Sequence, residues 1–332
     1  MDRLNTTQYF DMGTSTLYAD LPGSPPNAKH IAAVRDFVVL GNTRSGSTDY
    51  PTRLVWSGYN NTEIWTPSRQ TQSDTRDLQG NWGNIQRIVP GQTGVIFQEA
   101  AISVMRYTGP PAIFTIDTVE KGKGTPAPKS VCWRGRDIYY LGDDGFYRFP
   151  DSKSPISTER VNRWFFNELD LSSIGDVQGV VDPRNQLVIW IFKTSSSLTY
   201  SDRVIFYNWG ADKWSYGELD IEDISQYATA GLTLDDLDTV LTDIDAESIP
   251  VDSDAYQGGA VSLVAFNDLH ELCTFQGAAL AAQLETAEFG EGGRLSTVEA
   301  RPLVSGSPTQ ITVQHGYRNS QNENVTWGSF LQ

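Results

Sequence analysis

Short apolar runs with alternating polar positions recur along the chain, and turn residues separate them. Runs of about four to seven residues with this alternation are typical of β-strands, and a regular succession of them indicates a sandwich, a barrel or a propeller. Few segments show helical spacing. The clearest strand-like runs lie in residues 32–41, 53–67, 84–109, 128–149, 175–192, 202–219 and 260–275.

Turn residues predict where the chain reverses within these runs. Residues 84–109 are expected to form two strands that reverse at Gln98–Ala101, and further reversals are predicted at Asp182–Asn185, Gly210–Asp212 and Asn267-Asp268. In the reversal Asp182–Asn185, Pro183 occupies the second position of a type I turn, where the proline ring presets φ.

The spacing of the turns favours a propeller. Turns near Glu99, Asp144 and Arg184 are 45 and 40 residues apart, and one four-stranded blade takes roughly 40–50 residues. A pair of sandwiches stays open, because the repeats share a pattern and not a sequence. The prediction is an all-β, propeller-like array of short antiparallel blades. One short helix is expected between two blades in Ser157–Asp170, since its apolar residues fall on one helical face: Val161, Trp164, Phe165 and Leu169.

The stretch YYLGDDGFYRF, Tyr139–Phe149, contains two adjacent carboxylates that suggest either a metal loop or a turn. A calcium loop needs oxygens at alternate positions and a distal bidentate carboxylate, and Asp143 and Asp144 are adjacent instead. Asp144-Gly145 between two alternating runs is a strong hairpin signal. We therefore predict a hairpin and no metal site.

Composition and cysteine content indicate a chain with a core and no covalent framework. Hydrophobic residues make up 39% of the 332 residues, and the only cysteines are Cys132 and Cys273. They are expected to be buried free thiols, without a disulfide or zinc pattern. The start MDRLNTTQYF does not resemble a signal peptide, and LVIWIF (Leu187–Phe192) is too short to span a membrane. The expectation is a soluble protein made in a reducing cytoplasm.

Charge is distributed unevenly. The formal net charge is −16, and residues 214–293 contain 17 acidic residues and no lysine or arginine, which leaves 25 basic and 24 acidic residues elsewhere. A protein that grips nucleic-acid phosphates has the opposite asymmetry. Binding of DNA through its phosphates is therefore not expected.

Motifs for catalysis or cofactor binding are missing from the sequence. His30, His270 and His315 are far apart, and no G-x-S-x-G nucleophile motif occurs. Glu120–Ser130 partly resembles a phosphate-binding loop but lacks its spacing, so we interpret it as a connection between blades. Paired carboxylates for glycoside hydrolysis remain possible, since an acidic β protein offers many pairs. We predict no enzyme activity, cofactor or metal.

The acidic segment Thr233–Gly259 has two interpretations. Its carboxylates could collect a divalent cation, or the segment could be an arm that leaves the domain and returns at Gly258-Gly259. The arm is favoured, because a long stretch without a strand pattern in a compact β domain usually has a task outside that domain. Apolar residues that would be costly to expose are expected to pack on a neighbouring subunit: Leu234, Leu237, Val240 and Leu241.

Several motifs in order resemble the tail nozzle, or tail-stabilisation, proteins of short-tailed bacteriophages. The likeness spans about Lys29 to Gly328, and its specificity lies in the number and order of the motifs. They include VRDFVVLGN, RLVWSGYNNTEIWTP, YYLGDDGFYRF, ERVNRWFFNELD, VVDPRNQLVIWIF, YNWGADKWS, LVAFNDLHELCTFQG and VEARPLVSGSPTQITVQHGYRNSQNENVTWG.

The resemblance implies a homohexameric ring around the DNA exit channel, below the portal and adaptor. The partners would be other tail proteins (adaptor, fibre or needle), DNA would pass without specific binding, and the host envelope would be met only indirectly. The protein would be made in the host cytoplasm and reside in the virion tail. Acidic residues are candidates to face the channel, where they would repel phosphates: Asp235, Asp236, Asp238, Asp243 and Asp245.

The expected domain organisation has three parts. Residues 1–28 form an N-terminal extension, residues 29–292 form the propeller-like domain with the arm at 233–257, and residues 293–332 form a C-terminal β segment that closes the propeller or packs on a neighbour. Many relatives continue after the final VTWG, so a ring-closing strand or attachment domain is expected from elsewhere. The alternative function is a glycan-binding or carbohydrate-active propeller, because nine tryptophans could stack on sugars.

Overall fold

The computed structural model of the chain describes residues 3–11, 14–151, 154–158, 160–197, 199–228, 261–275, 283, 312–318, 320 and 323–329. Of these residues, 52% lie in strands and 6% in helices. The chain separates into two units, Met1–Gln276 and Gly277–Gln332. The described residues of the second unit contain one short antiparallel pair, β20 (Gly316–Tyr317) and β21 (Thr326–Trp327).

The first sheet is a four-stranded antiparallel meander that follows a short N-terminal pair, β1 and β2. Its first strand begins at Asn27, so the predicted boundary at residues 28 and 29 falls inside this strand. Alternate residues of that strand are buried, as the period-two pattern predicts. The strands are β1 (Gln8–Tyr9), β2 (Ala19–Asp20), β3 (Asn27–Val34), β4 (Phe37–Ser45), β5 (Thr48–Trp56) and β6 (Asp74–Asp77).

The second and third sheets are meanders of four and three strands. The predicted reversal at Gln98–Ala101 is present, but the run before it contains a second reversal at Pro90–Thr93, where Gly91 has a φ of 148°. Only glycine adopts that conformation readily. The strands are β7 (Ile85–Val89), β8 (Gly94–Gln98), β9 (Ala101–Gly109), β10 (Ile113–Lys121), β11 (Cys132–Arg134), β12 (Asp137–Leu141) and β13 (Phe146–Phe149).

A short α-helix, α1 (Asn162–Glu168), connects the third and fourth sheets. The predicted helix began at Ser157, but Ser157 instead accepts a hydrogen bond from the Phe146 N–H through its Oγ (2.8 Å) and so belongs to the third sheet's edge. The helix ends where Leu169 adopts an extended conformation and bridges to Thr194. Phe165 and Leu169 are buried, as the apolar face predicts.

The fourth sheet has six strands in chain order. Its fourth strand is unusually long: the first half pairs with β16, and the second half, after a bulge between Ile221 and Asp223, pairs with β18. The predicted reversals at 182–185, 210–212 and 267–268 all fall between strands of this sheet. The strands are β14 (Gln178–Asp182), β15 (Leu187–Phe192), β16 (Ser201–Asn208), β17 (Lys213–Ala228), β18 (Val261–Asn267) and β19 (Leu272–Thr274), and the second unit's pair is β20 (Gly316–Tyr317) with β21 (Thr326–Trp327).

Each sheet packs on the next one along the chain. Val34 and Trp56 of the first sheet share a core with Ile96 of the second, and Phe97 of the second shares one with Tyr140 of the third. The third sheet's other face, α1 and the fourth sheet enclose the largest cluster, in which Trp190 is fully buried. Successive meanders therefore stack face to face, and every interior sheet buries both faces.

The prediction of an all-β fold of short antiparallel meanders with one short helix is confirmed. Cys132 is buried and Cys273 is half-buried, and both are free thiols. Burial raises the pKa of Cys132 above its usual range. The predicted acidic arm at 233–257 lies outside the described residues, and so does most of the predicted C-terminal segment.

Candidate functional site

The residues predicted from the sequence to form the subunit contact and the channel surface lie outside the described residues. These are Leu234, Leu237, Val240 and Leu241 for the contact, and Asp235, Asp236, Asp238, Asp243 and Asp245 for the channel. The described chain shows where their segment starts and ends. Ala228, the last residue of β17, pairs directly with Val261, the first residue of β18. Segment 229–260 is therefore an insertion between two neighbouring antiparallel strands, and its two ends are adjacent.

The strands that carry this insertion form a surface that we call the acidic hairpin, residues 221–228 and 261–275. Its inner face contributes Ile224 and Ala265 to a buried cluster against β14–β16. Its outer face leaves Phe266 and Leu272 38% and 56% exposed. Its charged residues are carboxylates and one histidine, since no lysine or arginine occurs in residues 214–293.

The acidic hairpin folds back onto the first strand of the fourth sheet. The Gln178 side-chain amide donates to the Ile224 carbonyl (2.7 Å), and the Gln226 amide donates to the Val181 carbonyl. Val181 stands one residue before the end of β14, where the turn to β15 begins. In that turn the Gln186 carbonyl accepts the Trp209 N–H (3.2 Å). The ends of the insertion therefore lie at the same end of the sheet as Trp209.

Arginines of the second and third sheets lie over two indole rings, those of Trp133 and Trp209. Arg134 lies 5.1 Å above the Trp209 ring, and Arg87 lies 5.9 Å above the Trp133 ring. Such cation–π contacts hold the guanidinium groups in place without neutralising them. We call this surface the basic rim, and its cations are Arg87, Arg134, Arg136, Arg148, Arg160 and Lys213.

Two carboxylates order part of the basic rim. Asp137 pairs with Arg148 (2.9 Å), and Asp212 pairs with Arg160 (2.9 Å). Asp212 also accepts the Tyr207 hydroxyl (3.0 Å). The Arg160 hydrogen bond, followed by that of Tyr207, lowers the pKa of Asp212. Burial first and Asp212 second raise the pKa of Tyr207 to about 12. Neither group is prepared for proton transfer near neutral pH, and the surface is suited to binding anions.

Asp143 and Asp144 lie in the loop of the β12–β13 hairpin, as predicted, although the loop has four residues, Gly142–Gly145. The Tyr147 hydroxyl donates to the Asp144 carboxylate (2.7 Å), and the Asn162 amide donates to the Asp144 carbonyl (2.8 Å). Burial first and this carboxylate second raise the pKa of Tyr147 above its usual range. Asp144 thus links the loop by hydrogen bonds to β13 and to α1.

The loop Glu120–Ser130 connects the second sheet to the third, as predicted. Thr125 Oγ1 donates to the Leu141 carbonyl (2.7 Å), and Ser130 Oγ accepts the Leu141 N–H (3.0 Å). Both hydroxyls are buried. These two hydroxyls are therefore directed to the chain's own backbone.

The two histidines in the first unit have opposite environments. His30 is buried in β3, and burial first, then the charges of Lys29 and Arg87, lower its pKa to about 3. His270 is exposed on the acidic hairpin, and its hydrogen bond to Glu222 (2.7 Å) raises its pKa. Among the described residues, no group of three or more His, Cys, Asp or Glu side chains is arranged to hold a metal ion.

The basic rim was not predicted from the sequence. The signal closest to it is the run Trp133-Arg134-Gly135-Arg136, but Arg87, Arg160 and Trp209 join it only through the packing of the sheets. No helix in the described part of the chain is long and apolar enough to cross a membrane. No protein-family model matches the chain, and no curated protein matches it either.

Proposed function

We propose that this chain is a structural subunit of the tail of a short-tailed bacteriophage, in the nozzle-type ring that forms the DNA exit channel below the portal and adaptor. The observation that carries the proposal is the order of motifs that resembles tail nozzle proteins. In the fold, three of these motifs lie in the first, third and fourth sheets: VRDFVVLGN spans the β3–β4 turn, YYLGDDGFYRF the β12–β13 hairpin, and YNWGADKWS the β16–β17 turn.

The position of the acidic insertion supports a role in assembly. Segment 229–260 begins after Ala228 and ends before Val261. These two flanking residues are paired with each other, so the sheet can be complete without the segment. Its leucines and Val240 are proposed to pack on an adjacent subunit of a homohexamer, and its carboxylates Asp243 and Asp245 to face the channel, where they would repel DNA. Adaptor, fibre or needle proteins are the further partners proposed, and the site of action is the virion tail.

A structural role rather than an enzymatic one is proposed. Three arginines whose pKa is raised by a hydrogen bond to an aspartate join neighbouring strands or connections: Arg53 with Asp77 (2.7 Å), Arg148 with Asp137 (2.9 Å) and Arg160 with Asp212 (2.9 Å). Each pair has a structural explanation in the array. This agrees with a subunit whose task is to hold its shape.

Glycan binding is the alternative, and one observation favours it. Trp164 stacks on Tyr216 with ring centroids 4.2 Å apart, and Tyr216 is 61% exposed. Exposed aromatic faces of this kind can stack on sugars. Trp56, Trp65 and Trp190 are buried in the core and cannot contribute. Tyr216→Ala would abolish glycan retention in this alternative and leave tail assembly unchanged in the main proposal.

The test combines imaging of the purified protein with labelling of virions. Negative-stain micrographs are expected to show rings with a central channel, and an antibody against the chain should label the tail tip of the phage that encodes it. Phage with Asp235–Asp254 deleted should give particles that lack stable tails or leak DNA, while the purified variant keeps its β-type circular dichroism. Unlabelled virions, or normal tails made with the deletion variant, would refute the proposal.

A further inference from the structure

The basic rim has more positive charge than its own carboxylates neutralise. Arg148 and Arg160 are paired with Asp137 and Asp212, and Asp151 follows β13 at the same end. Arg87, Arg134, Arg136 and Lys213 make no ion pair with a carboxylate in the described part of the chain. Arg134 stands directly before the tight β11–β12 turn, Arg136 lies within it, and both are exposed. A surface with fixed, unpaired guanidinium groups favours an anionic partner.

The aromatic residues of the basic rim favour a carboxylate-bearing peptide over a nucleic acid. Arg134 lies over the Trp209 ring, which also stacks on Tyr139, and Arg87 lies over Trp133, which packs against the core between the second and third sheets. These indoles therefore offer little free face on which a base could stack. Guanidinium groups held in this way present their N–H donors sideways, where a carboxylate can be bound by two of them. The half-buried indole edges beside them suit aliphatic side chains.

One segment of this chain has the complementary composition. Residues 229–260 contain Asp235, Asp236 and Asp238 interleaved with Leu234 and Leu237, without a lysine or arginine. Its ends, Ala228 and Val261, lie at the same end of the fourth sheet as Trp209, through the contacts of Gln226 with Val181 and of Gln186 with Trp209.

We propose that the basic rim of one copy binds the acidic segment 229–260 of the adjacent copy; this inference rests on the proposed ring. Two different surfaces of one chain that fit each other make a heterologous contact, which generates a ring when the rotation closes.

Peptide binding tests the surface directly. The probe is a fluorescently labelled synthetic peptide of residues 229–260, and the receptor is the full chain with Asp235→Asn, Asp236→Asn and Asp238→Asn, which weakens competition from its own segment. We expect saturable binding that falls at least about tenfold with Arg134→Glu and Arg136→Glu, because two charge-assisted contacts become repulsive. It should also weaken between about 50 and about 300 mM NaCl.

Two further variants keep the peptide experiment interpretable. Arg136→Glu alone changes an exposed turn residue without a ring contact and should weaken binding about threefold. This variant still tests the surface if Arg134→Glu disturbs folding. Arg69→Glu with Arg106→Glu reverses two exposed arginines, one in the β5–β6 connection and one in β9 that pairs with Asp117, and should leave affinity unchanged. Absent binding, or equal losses in the rim and control variants, would overturn the proposal.

A mixing experiment separates the adjacent copy from the same copy. One chain has the reversed rim and a native segment, and the other has a native rim and the neutralised segment. Sedimentation velocity should show each alone as a monomer and the equimolar mixture as a heterodimer. If the peptide binds but the mixture stays monomeric, the segment docks on its own chain and the adjacent-copy proposal is wrong.

The remaining outcomes distinguish this inference from the function on which it rests. If duplex DNA, and not the peptide, loses affinity when Arg134 and Arg136 are reversed, the rim is a phosphate site and the proposal is overturned. If the peptide and mixing experiments succeed while the antibody fails to label virion tails, the contact between copies stands and the tail assignment fails.

Discussion

The third sheet and the acidic hairpin are both built from short antiparallel strands, but they bury their side chains differently. In the third sheet, Tyr139 faces the fourth sheet's core and Tyr140 faces the second sheet's core, and both are buried. In the acidic hairpin, Ala265 is buried on the inner face, whereas the next residue, Phe266, is 38% exposed on the outer face. The third sheet is thus fixed by neighbours on both sides, whereas the outer face of the hairpin leaves Phe266 and Leu272 partly exposed beside the buried Val264.

Charge sharpens the same contrast. The third sheet supplies Arg134, Arg136 and Arg148 to the basic rim, and the acidic hairpin has carboxylates but no lysine or arginine. Buried apolar contacts determine the stability of the fold, whereas exposed charges determine which partner binds and how fast it associates. Substitutions in the interior sheets should therefore change unfolding, and those in the hairpin and its insertion should change association.

The largest effect is expected from Trp190→Ala. Trp190 is fully buried, its ring centroid lies 4.4 Å from that of Phe146, and its Nε1–H donates to the Ser130 carbonyl (3.0 Å). The cavity and the unpaired carbonyl should lower the free energy of unfolding by about 3–5 kcal/mol. The matched change on the hairpin, Phe266→Ala, should cost less than about 1 kcal/mol. Urea unfolding followed by tryptophan fluorescence and circular dichroism measures both, and equal losses would contradict the contrast.

The next largest effect is expected from Gly145→Val in the β12–β13 loop. Gly145 has a φ of +150°, and a Cβ there would lie 2.7–2.8 Å from side-chain atoms of Asn162 and Ser157. Backbone strain and crowding together should cost about 2–4 kcal/mol. Gly46→Val provides the control, because Gly46 also has a positive φ, +58°, but nothing lies within 4 Å of its Cβ position. Its cost should be strain alone, about 1–2 kcal/mol. Comparable losses in the two variants would show that crowding at Gly145 is unimportant.

A third effect should appear as pH dependence at His30. Its folded pKa, about 3, is below the ordinary value of 6.5, so the unfolded chain binds the proton first. The stabilisation is fully present above pH 6.5 and is lost as the pH falls toward 3, by about 2 kcal/mol at pH 5. His30→Gln should flatten this part of the curve. His270 has a raised folded pKa, so its small contribution has the opposite sign: it is present at low pH and lost as the pH rises. Urea unfolding from pH 4 to 8 measures both, and an unchanged slope in His30→Gln would contradict the assignment.

The strands and hairpins were predictable because their signals are local. Asp144-Gly145 between alternating runs predicted the β12–β13 hairpin, and the apolar face of α1 predicted the burial of Phe165. The helix came out shorter than predicted because Ser157 bonds to the third sheet, which is a tertiary contact. The basic rim was missed for the same reason. Arg87 and Arg134 are far apart in sequence and meet only where the second, third and fourth sheets stack.

The smallest effect on stability is expected from replacing residues 229–260 with Asn-Gly, a pair that forms two-residue hairpin turns. Ala228 and Val261 are already paired, so the replacement joins neighbouring strand ends without changing register. A shorter connection costs less chain entropy to close, so the free energy of unfolding should stay constant or rise by up to about 2 kcal/mol if the removed residues make no contacts with the sheets. Association should be lost, since the acidic segment is gone while Phe266 and the rest of the hairpin remain. Urea unfolding and sedimentation velocity on one preparation measure both quantities. A clear loss of stability would show that the insertion belongs to the core of its own chain. The insertion would then have to be counted with the buried interior sheets and not with the exposed side of the acidic hairpin.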